Sequence, residues 1–384
     1  MPPASVTNTW VPALMQPDTA NFAWHVRRSD VVRTLCAAAG RTCTLAYSDP
    51  WTSHPAPSQA DCAKKSKQDV GTVMMFFFNC PGGTNCGMDW ANTHAYGMNQ
   101  SDPYYYDGYY NPFSNTDFWT GELRDAEYAG LQFILPNVYG TDLNAIAGLA
   151  AALAQESSPV KVGLFNDTWA YGNTLPAVSL SNAAQAAQTI YSTQWHPFFT
   201  TIPSKYWYIV NGRPLIYFYN AGTLTPLTNA AAVVSDLKKL FQTSFGVAPF
   251  VVVDKAYFAD PNMSGVADGE FVWDVFVNNP ASGVNSVAMN NLTFANGFVK
   301  WDSFNRDGGP IAATAANDTK MVKGPGVLHE ILQNAAGADV LLLQTWNDLG
   351  EGTGFNRNYD YYYQGQWLSP DYFLKIVRQS NCTN

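Results

Sequence analysis

RPLIYFYN at residues 213–220, LTNAAAVVSDLKKLF at 227–241 and APFVVVDK at 248–255 follow one another as an apolar run, a helical stretch and a second apolar run. Short, almost unbroken apolar runs are typical of strands in a parallel sheet, because such strands are buried on both faces. The helical stretch between the two runs supplies the crossover that parallel strands require. This unit therefore indicates an α/β fold.

The same alternation extends outward from this unit in both directions. We predict strands at 72–79, 131–138, 160–167, 213–220, 248–255, 269–276 and 338–348, and an eighth hidden in 295–323, around GFVKWDSF or GPIAATA. Repeated strand–helix units in 384 residues predict a (β/α)8 TIM-type barrel with long βα loops. A doubly wound open sheet is the alternative, disfavoured because no GxGxxG or Walker A pattern follows the first strand.

The domain organisation follows from where this alternation begins. Residues 1–70 are rich in Pro, Ser and Thr, with one predicted helix from Ser29 to Ala39. We expect a single catalytic domain over 1–384, in which an irregular, disulfide-containing region (1–70) packs on a barrel formed by 71–384.

Composition excludes several classes of protein. The chain is 47% hydrophobic and 13% charged, with a net charge of −9, and it contains no apolar run of about 18 residues. We therefore expect no membrane span, and the acidic balance argues against nucleic acid as a partner. Aromatic residues make up 14% of the chain, which suits sugar binding because Trp and Tyr combine a flat apolar face with a polar edge.

The six cysteines are even in number and form no CxxC pair. Of the 15 possible connectivities, we hypothesise short loops closed by two close pairs and a bridge between the N-terminal region and the C-terminus. Such bridges predict an oxidising compartment, so we expect a secreted protein whose start, MPPASVTNTW, lacks a signal peptide. No metal-ligand pattern is found, and we expect no metal and no cofactor. The hypothesised pairs are Cys36–Cys43, Cys80–Cys86 and Cys62–Cys382.

Polar and aromatic residues follow nearly every predicted strand. The carboxyl ends of barrel strands surround the active site in enzymes of this fold, so these residues are candidates for substrate binding. Taken singly, Asn and Asp could equally be turn residues or helix caps. The candidates are Tyr139, Asp167, Trp169, Asn220, Asp254, Trp273, Asp274, Trp346 and Asn347.

The last predicted strand carries the sharpest pattern. TWNDLGEGTGF at 345–355 places Asp348 and Glu351 three residues apart directly after the apolar run. Two carboxyl groups in one cleft can divide glycosidic cleavage between a protonated acid and an ionised base or nucleophile. The alternative is an exposed acidic loop with a helix cap.

WNDLGEGT at 346–353 resembles the last-strand motif N-E-W-x-E-G-T of family 99 and family 99-like glycoside hydrolases. It is also similar to the W-N-D-Y-G-E-S motif of fungal family 71 α-1,3-glucanases. The stretches DAEYAGLQFILPNVYG (125–140), VGLFNDTW (162–169) and GRPLIYFYN (212–220) look like the second, third and fourth strand regions of family 99-like barrels.

The resemblance implies that Asp348 is the base-side carboxylate and Glu351 the general acid. Family 99 enzymes retain configuration by activating the 2-hydroxyl of the sugar, whereas family 71 enzymes invert. Asp348 is as in family 71 and the Gly352-Thr353 pair is as in family 99, so both outcomes stay open.

We therefore expect a secreted, monomeric glycoside hydrolase that acts within the chain of a polysaccharide, with an α-linked glycan as substrate. Asp167, Asp254 and Asp274 are expected to bind sugar hydroxyls or tune the catalytic pair, and Tyr139, Trp169, Trp273 and Trp346 to stack on sugar faces. A non-catalytic carbohydrate-binding protein on a barrel scaffold is the alternative. A polysaccharide lyase is disfavoured because Lys and Arg are sparse near the strand ends.

Overall fold

The computed structural model of the chain describes residues 62–64, 67–75, 116–137, 143–173, 175–273, 284–298, 324–347, 354–356, 362–363, 366–367 and 371–383. The strands are β1 (Ala63–Lys64), β2 (Asp69–Met75), β3 (Phe133–Asn137), β4 (Lys161–Val162), β5 (Leu164–Asp167), β6 (Ile209–Val210), β7 (Arg213–Tyr219), β8 (Phe250–Asp254), β9 (Gly269–Phe271), β10 (Asn285–Met289), β11 (Leu292–Phe298), β12 (Val340–Gln344), β13 (Tyr362–Tyr363), β14 (Gln366–Trp367) and β15 (Cys382–Thr383). The α-helices are α1 (Thr116–Tyr128), α2 (Leu143–Glu156), α3 (Ala183–Ile190), α4 (His196–Thr201), α5 (Ala230–Phe245), α6 (Gly324–Asn334) and α7 (Tyr372–Asn381).

Parallel strands form the central sheet in the order β11–β12–β2–β3–β5–β7–β8–β9. Short β4 pairs with β3 directly ahead of β5, and β10 pairs antiparallel with β11. The two ends of the series meet, because the Asn296 side chain of β11 accepts a hydrogen bond from the Val272 N–H and donates one to the Val272 carbonyl. The sheet is therefore a nearly closed α/β barrel. At its seam, between β9 and β11, the side-chain amide of Asn296 makes the hydrogen bonds that a backbone ladder makes elsewhere.

Alternate residues of each strand face opposite sides of the sheet. One set fills the barrel interior, as Val73, Leu135, Tyr217, Val252 and Leu342 do. The other set packs against the surrounding helices, as Met74, Ile134, Ile216, Val251 and Leu341 do. Burial on both sides explains why these strands read as continuous apolar runs in the sequence.

The predicted position of the eighth strand is wrong in part. The strand is β11, LTFANGF, which begins before the predicted stretch and overlaps GFVKWDSF only at Gly297 and Phe298. GPIAATA lies outside the described residues. Thr293, Asn296 and Gly297 interrupt the apolar run of β11, which is why hydropathy alone did not reveal it.

Besides the stretch at 227–241, which contains most of α5, the sequence predicts helices at DFWTGELRDAEYAG (117–130), LNAIAGLAAALAQ (143–155), GVLHEILQNAAG (326–337) and SNAAQAAQTIYSTQWHPFF (181–199). The first three correspond to α1, α2 and α6, and the fourth is divided. It consists of α3, a π-helical turn at Tyr191–Trp195 and α4. Gly246 ends α5 with a φ of 77°, the left-handed conformation that favours glycine. The predicted helix Ser29–Ala39 lies outside the described residues.

The start and the end of the described chain lie together. The structure joins Cys62 to Cys382 in a disulfide, and β1 pairs antiparallel with β15. A Cβ on Gly130 would lie 2.6 Å from the Cys382 sulfur, and Gly130 has a φ of 74°, so only glycine fits under the bridge without strain. The other two hypothesised cysteine pairs lie outside the described residues. No helix in the described part of the chain is long and apolar enough to cross a membrane.

Candidate functional site

Because the barrel strands run parallel, their carboxyl ends meet at one rim, here called the barrel mouth. Five side chains from four neighbouring strands, β5, β7, β8 and β9, and the turns after them line one side of this mouth. Asp167 ends β5, Tyr219 ends β7 and pairs in register with Asp167, and Asp254 ends β8. Trp169 and Trp273 follow β5 and β9 directly. We call Asp167, Trp169, Tyr219, Asp254 and Trp273 the acidic–aromatic wall.

Asp167 is a buried carboxylate that the chain holds in a fixed orientation. Its Oδ1 accepts a hydrogen bond from the backbone N–H of Trp169 at 2.8 Å, which caps the 3-10 turn Thr168–Ala170. Its Oδ2 accepts from Asn137 Nδ2 at 3.3 Å, at the end of β3. Charge-assisted hydrogen bonds of this kind keep a buried carboxylate in place.

Trp169 stands on the turn that Asp167 caps, and its side chain is 44% exposed. Thr168 ties this turn to the chain after β7, because its hydroxyl oxygen accepts from the Ala221 N–H at 2.9 Å and its carbonyl accepts from Thr223 Oγ1. Asn220, a predicted site residue, is half-buried in the same connection. Two neighbouring loops of the mouth therefore support the exposed indole together.

Trp273 forms the centre of an aromatic cluster. Its ring centroid lies 5.0 Å from that of Phe165, 5.2 Å from that of Tyr219 and 5.5 Å from that of Phe298. Trp273 and Tyr219 are half-buried, so each ring packs on the interior and keeps an outer part accessible. Such edges and faces are what the apolar faces of sugars contact.

Asp254 is the second buried acid of the wall, with 8% of its surface exposed. Its Oδ1 accepts the Ala256 N–H at 2.8 Å, and the backbone N–H of Trp273 also bonds to its carboxyl group. Burial raises the pKa of Asp254 to about 6, the two backbone donors oppose that rise, and the nearby charge of Glu270 adds to it. Asp254 therefore titrates in a range where carboxyl groups serve as acids or bases.

The raised pKa of Asp254 predicts a pH dependence of stability. Because the folded chain holds this proton more tightly than the unfolded chain, the contribution of Asp254 to stability is full below about pH 4 and is lost as the pH rises through about 6. A shift of about two pKa units corresponds to about 3 kcal/mol. We therefore expect the free energy of unfolding of Asp254→Asn, relative to that of wild type, to be about 3 kcal/mol higher at pH 7 than at pH 4. Urea titrations at both pH values measure it, and parallel curves for the two proteins would contradict it.

Trp346 does not have the position that sugar stacking requires. Its ring is fully buried and meets Phe355 edge to face, with 5.1 Å between centroids. Its indole N–H donates to the carboxylate of Glu122, which is itself buried in α1. The prediction that Trp346 stacks on substrate is therefore not supported, because the ring has no accessible face. Asn347 is buried beside it.

Trp346 instead anchors both sides of the segment that contains the predicted catalytic acids. Its backbone N–H donates to the carbonyl oxygen of Val73 in β2 at 2.8 Å. Its carbonyl accepts the N–H groups of Phe355 and Asn356, each at 2.9 Å. The described residues on either side of this segment are therefore joined at one point of the barrel mouth, between β12 and β2. Asp348 and Glu351 lie outside the described residues, as do Asp274 and Tyr139.

The structure brings Asp167, Trp169, Asn220, Asp254 and Trp273 to one side of the mouth. It adds Asn137 and Tyr219, which were not among the chosen candidates, and it places Glu122 against the buried Trp346. Asn137 and Tyr219 also end strands, so their position was a usable signal. Glu122 gave no signal, because a single acid within a helix most often faces solvent.

The family described as a domain of unknown function, DUF5010, matches residues 81–381. No curated protein matches the chain.

Several solved structures are similar. The GH99 endo-α-mannosidase from Bacteroides thetaiotaomicron aligns with a TM-score of 0.50 and 12% identity over 81% of this chain and 96% of its own. The same enzyme in complex with bis-tris-propane gives 0.51 and 13%, over 81% and 95%. A glycoside hydrolase-like protein gives 0.54 and 15%, over 83% and 95%. At these identities the likeness shows a shared GH99-like barrel fold.

Proposed function

The chain belongs to the DUF5010 family, and we propose that its GH99-like barrel is a secreted glycoside hydrolase that cleaves within an α-linked polysaccharide. The acidic–aromatic wall is the observation that carries this proposal. A sugar presents hydroxyl groups at its rim and C–H groups on its faces, and the wall offers carboxylates and partly exposed rings side by side.

The position of the wall supports the same conclusion. In the strand order β12 lies across the barrel from β7, so the wall lies opposite Trp346, which follows β12. A substrate on the wall would thus lie over the barrel axis, within reach of groups from the opposite side of the mouth. This is where enzymes of this fold carry out their chemistry.

In the proposed mechanism Glu351 protonates the leaving oxygen and Asp348 acts as the base-side carboxylate. If Asp348 takes the proton of the sugar's own 2-hydroxyl, the 2-oxygen displaces the leaving group at the anomeric carbon and water then displaces the 2-oxygen, so the product retains its configuration. If Asp348 activates water, the product is inverted, which requires carboxyl groups about 6.5–9.5 Å apart. Asp167, Asp254 and Asp274 bind hydroxyl groups, and Asn220 and Asn347 complete the polar lining. Tyr139, Trp169 and Trp273 contact sugar faces.

A hydrolysis screen tests the proposal directly. The secreted, purified protein is incubated with α-1,3-glucan, α-mannan, arabinan and galactan, and proton NMR follows the anomer that appears first. We expect release of reducing ends from an α-linked glycan, with oligosaccharides preceding monosaccharides. Binding without any cleavage would favour the non-catalytic carbohydrate-binding alternative. If the protein neither binds nor cleaves any of these glycans, both the hydrolase and the carbohydrate-binding proposals are refuted.

Trp169→Ala is expected to raise KM on that glycan about tenfold, since an aromatic contact contributes roughly 1 kcal/mol or more. The melting temperature should hardly change, because the indole is 44% exposed. Ile209→Ala is the matched control: its side chain is 47% exposed, but it pairs with the amino end of β7, away from the mouth. Steady-state kinetics measure KM for both variants. A KM for Trp169→Ala equal to that of Ile209→Ala would contradict a role for Trp169 in substrate binding.

A further inference from the structure

We propose that the Asp254 carboxyl group orients the substrate as a hydrogen-bond donor, giving its O–H to an oxygen of the bound sugar. This inference rests on the proposed function and adds a role to it. It assigns Asp254 to substrate positioning, in the neutral form, and leaves bond cleavage to other groups.

The geometry around Asp254 supports a donor. The carboxyl group lies at the end of β8, between the half-buried rings of Tyr219 on β7 and Trp273 after β9, where a bound sugar would lie. It already accepts N–H groups from Ala256 and Trp273. With backbone donors on its acceptor positions, a neutral carboxyl group still has one O–H to give.

The charged and titratable groups around Asp254 also favour the neutral form. Glu270 of β9 acts on it as a like charge, and Lys255 acts on Glu270. Burial raises the pKa of Tyr257, and the charges of Asp254 and Asp167 add to this, so the phenol stays neutral. No cation acts on Asp254 itself among the described residues. Burial together with Glu270 accounts for its raised pKa.

A purely structural role makes different demands. As the cap of the 3-10 turn Lys255–Ala259, Asp254 needs only an acceptor oxygen, which Asp provides best when ionised. The surroundings of Asp254 disfavour the ionised form, which is the form that makes the stronger cap. The two roles therefore differ in the protonation state that is active.

The experiment compares Asp254→Asn, Asp254→Ala and wild type on oligosaccharides of the glycan that the hydrolysis screen finds cleaved (α-1,3-glucan, α-mannan, arabinan or galactan), with KM and kcat measured between about pH 5 and 7.5. Only the neutral acid donates, so wild-type KM should rise by up to about 30-fold over this range. The Asn amide donates at every pH, so Asp254→Asn should keep the low KM throughout. Asp254→Ala should raise KM about 10-fold or more at pH 5. In all three, kcat at pH 5 should change much less than KM.

Two further variants exclude other causes. Glu270→Gln should move the wild-type midpoint to lower pH without removing the pH dependence. Asp260→Asn alters another buried carboxylate that accepts backbone N–H groups, and its KM profile should match wild type.

The proposal is overturned if Asp254→Asn is as impaired as Asp254→Ala at pH 5, which would mean that a carboxylate accepts there. It is equally overturned if the Asn variant keeps the wild-type pH profile. A wild-type protein that neither cleaves nor binds any glycan of the panel would instead refute the proposed function.

Discussion

Asp348→Asn and Glu351→Gln, made singly, are each expected to lower kcat on the cleaved glycan by about 10²–10⁴-fold, the contribution typical of one acid or base group. Each substitution is nearly isosteric, so the lost activity reflects lost proton transfer. Melting temperatures should therefore stay close to that of wild type. Reducing-end release under saturating substrate measures kcat, and thermal unfolding checks the fold.

The control for this pair is an acid of the same kind away from the mouth. Asp236 lies on α5 in an exposed pair with Lys239, so Asp236→Asn should retain full activity. A variant of Asp348 or Glu351 that keeps more than about a tenth of wild-type kcat would exclude that residue from the catalytic pair. If only one of the two variants loses activity, that residue remains a catalytic acid or base and its partner must lie elsewhere in the mouth. Asp167 is then the next candidate.

The sequence reveals the barrel because burial on both faces makes each strand a continuous apolar run, whatever its partners. β11 is the exception, because the side chain of Asn296 bonds to the backbone of Val272 where the two ends of the sheet meet. A polar residue in the run lowers its hydropathy, so the run is not recognised as a buried strand. The acidic–aromatic wall was predictable in part for a related reason. Strand ends can be read locally, but the lateral order that puts Asp167 beside Tyr219 is set by pairing across 52 positions of sequence.

Trp346 shows what local reading cannot provide. Its motif predicts contact with a ligand, but in the fold its buried indole donates a hydrogen bond to Glu122, a residue 224 positions earlier in the chain. A tryptophan after a strand can face the mouth or the helices, and only the position of α1 decides between them. Exposure of an aromatic ring is thus a tertiary property, whereas the presence of the ring is a local one.

The opposite end of the barrel contains a buried ion network around Asp268, just before β9. Arg213 of β7 donates to both carboxylate oxygens of Asp268, each at 2.8 Å. Lys238 of α5 lies 2.7 Å from Oδ2, and the Val251 N–H of β8 donates to the same oxygen at 2.8 Å. One carboxylate therefore connects the amino ends of three neighbouring strands to the helix outside them.

Asp268→Asn is expected to lower the free energy of unfolding by about 3 kcal/mol, because it leaves two partly buried cations without their counter-ion. The side chains of Asp268, Lys238 and Arg213 are 11%, 17% and 28% exposed, which places the cost at the lower end of the range for buried pairs. Burial already lowers the pKa of Lys238, and Asp268 opposes that shift. Loss of the carboxylate lets Lys238 release its proton more readily, which limits the cost further.

Urea unfolding of wild type, Asp268→Asn and Asp236→Ala at pH 7 measures the effect. Asp236→Ala breaks the exposed pair on the same helix, where the Lys239 side chain is 72% exposed, and should cost about 0.5 kcal/mol or less. A cost below about 1 kcal/mol for Asp268→Asn would mean that the network is solvated and replaceable. Since Asp268 lies at the end of the barrel remote from the mouth, kcat below the unfolding range should not change. A fall in kcat with intact folding would show that the two ends are coupled through β8, which joins the Val251 N–H at Asp268 to Asp254 in the wall.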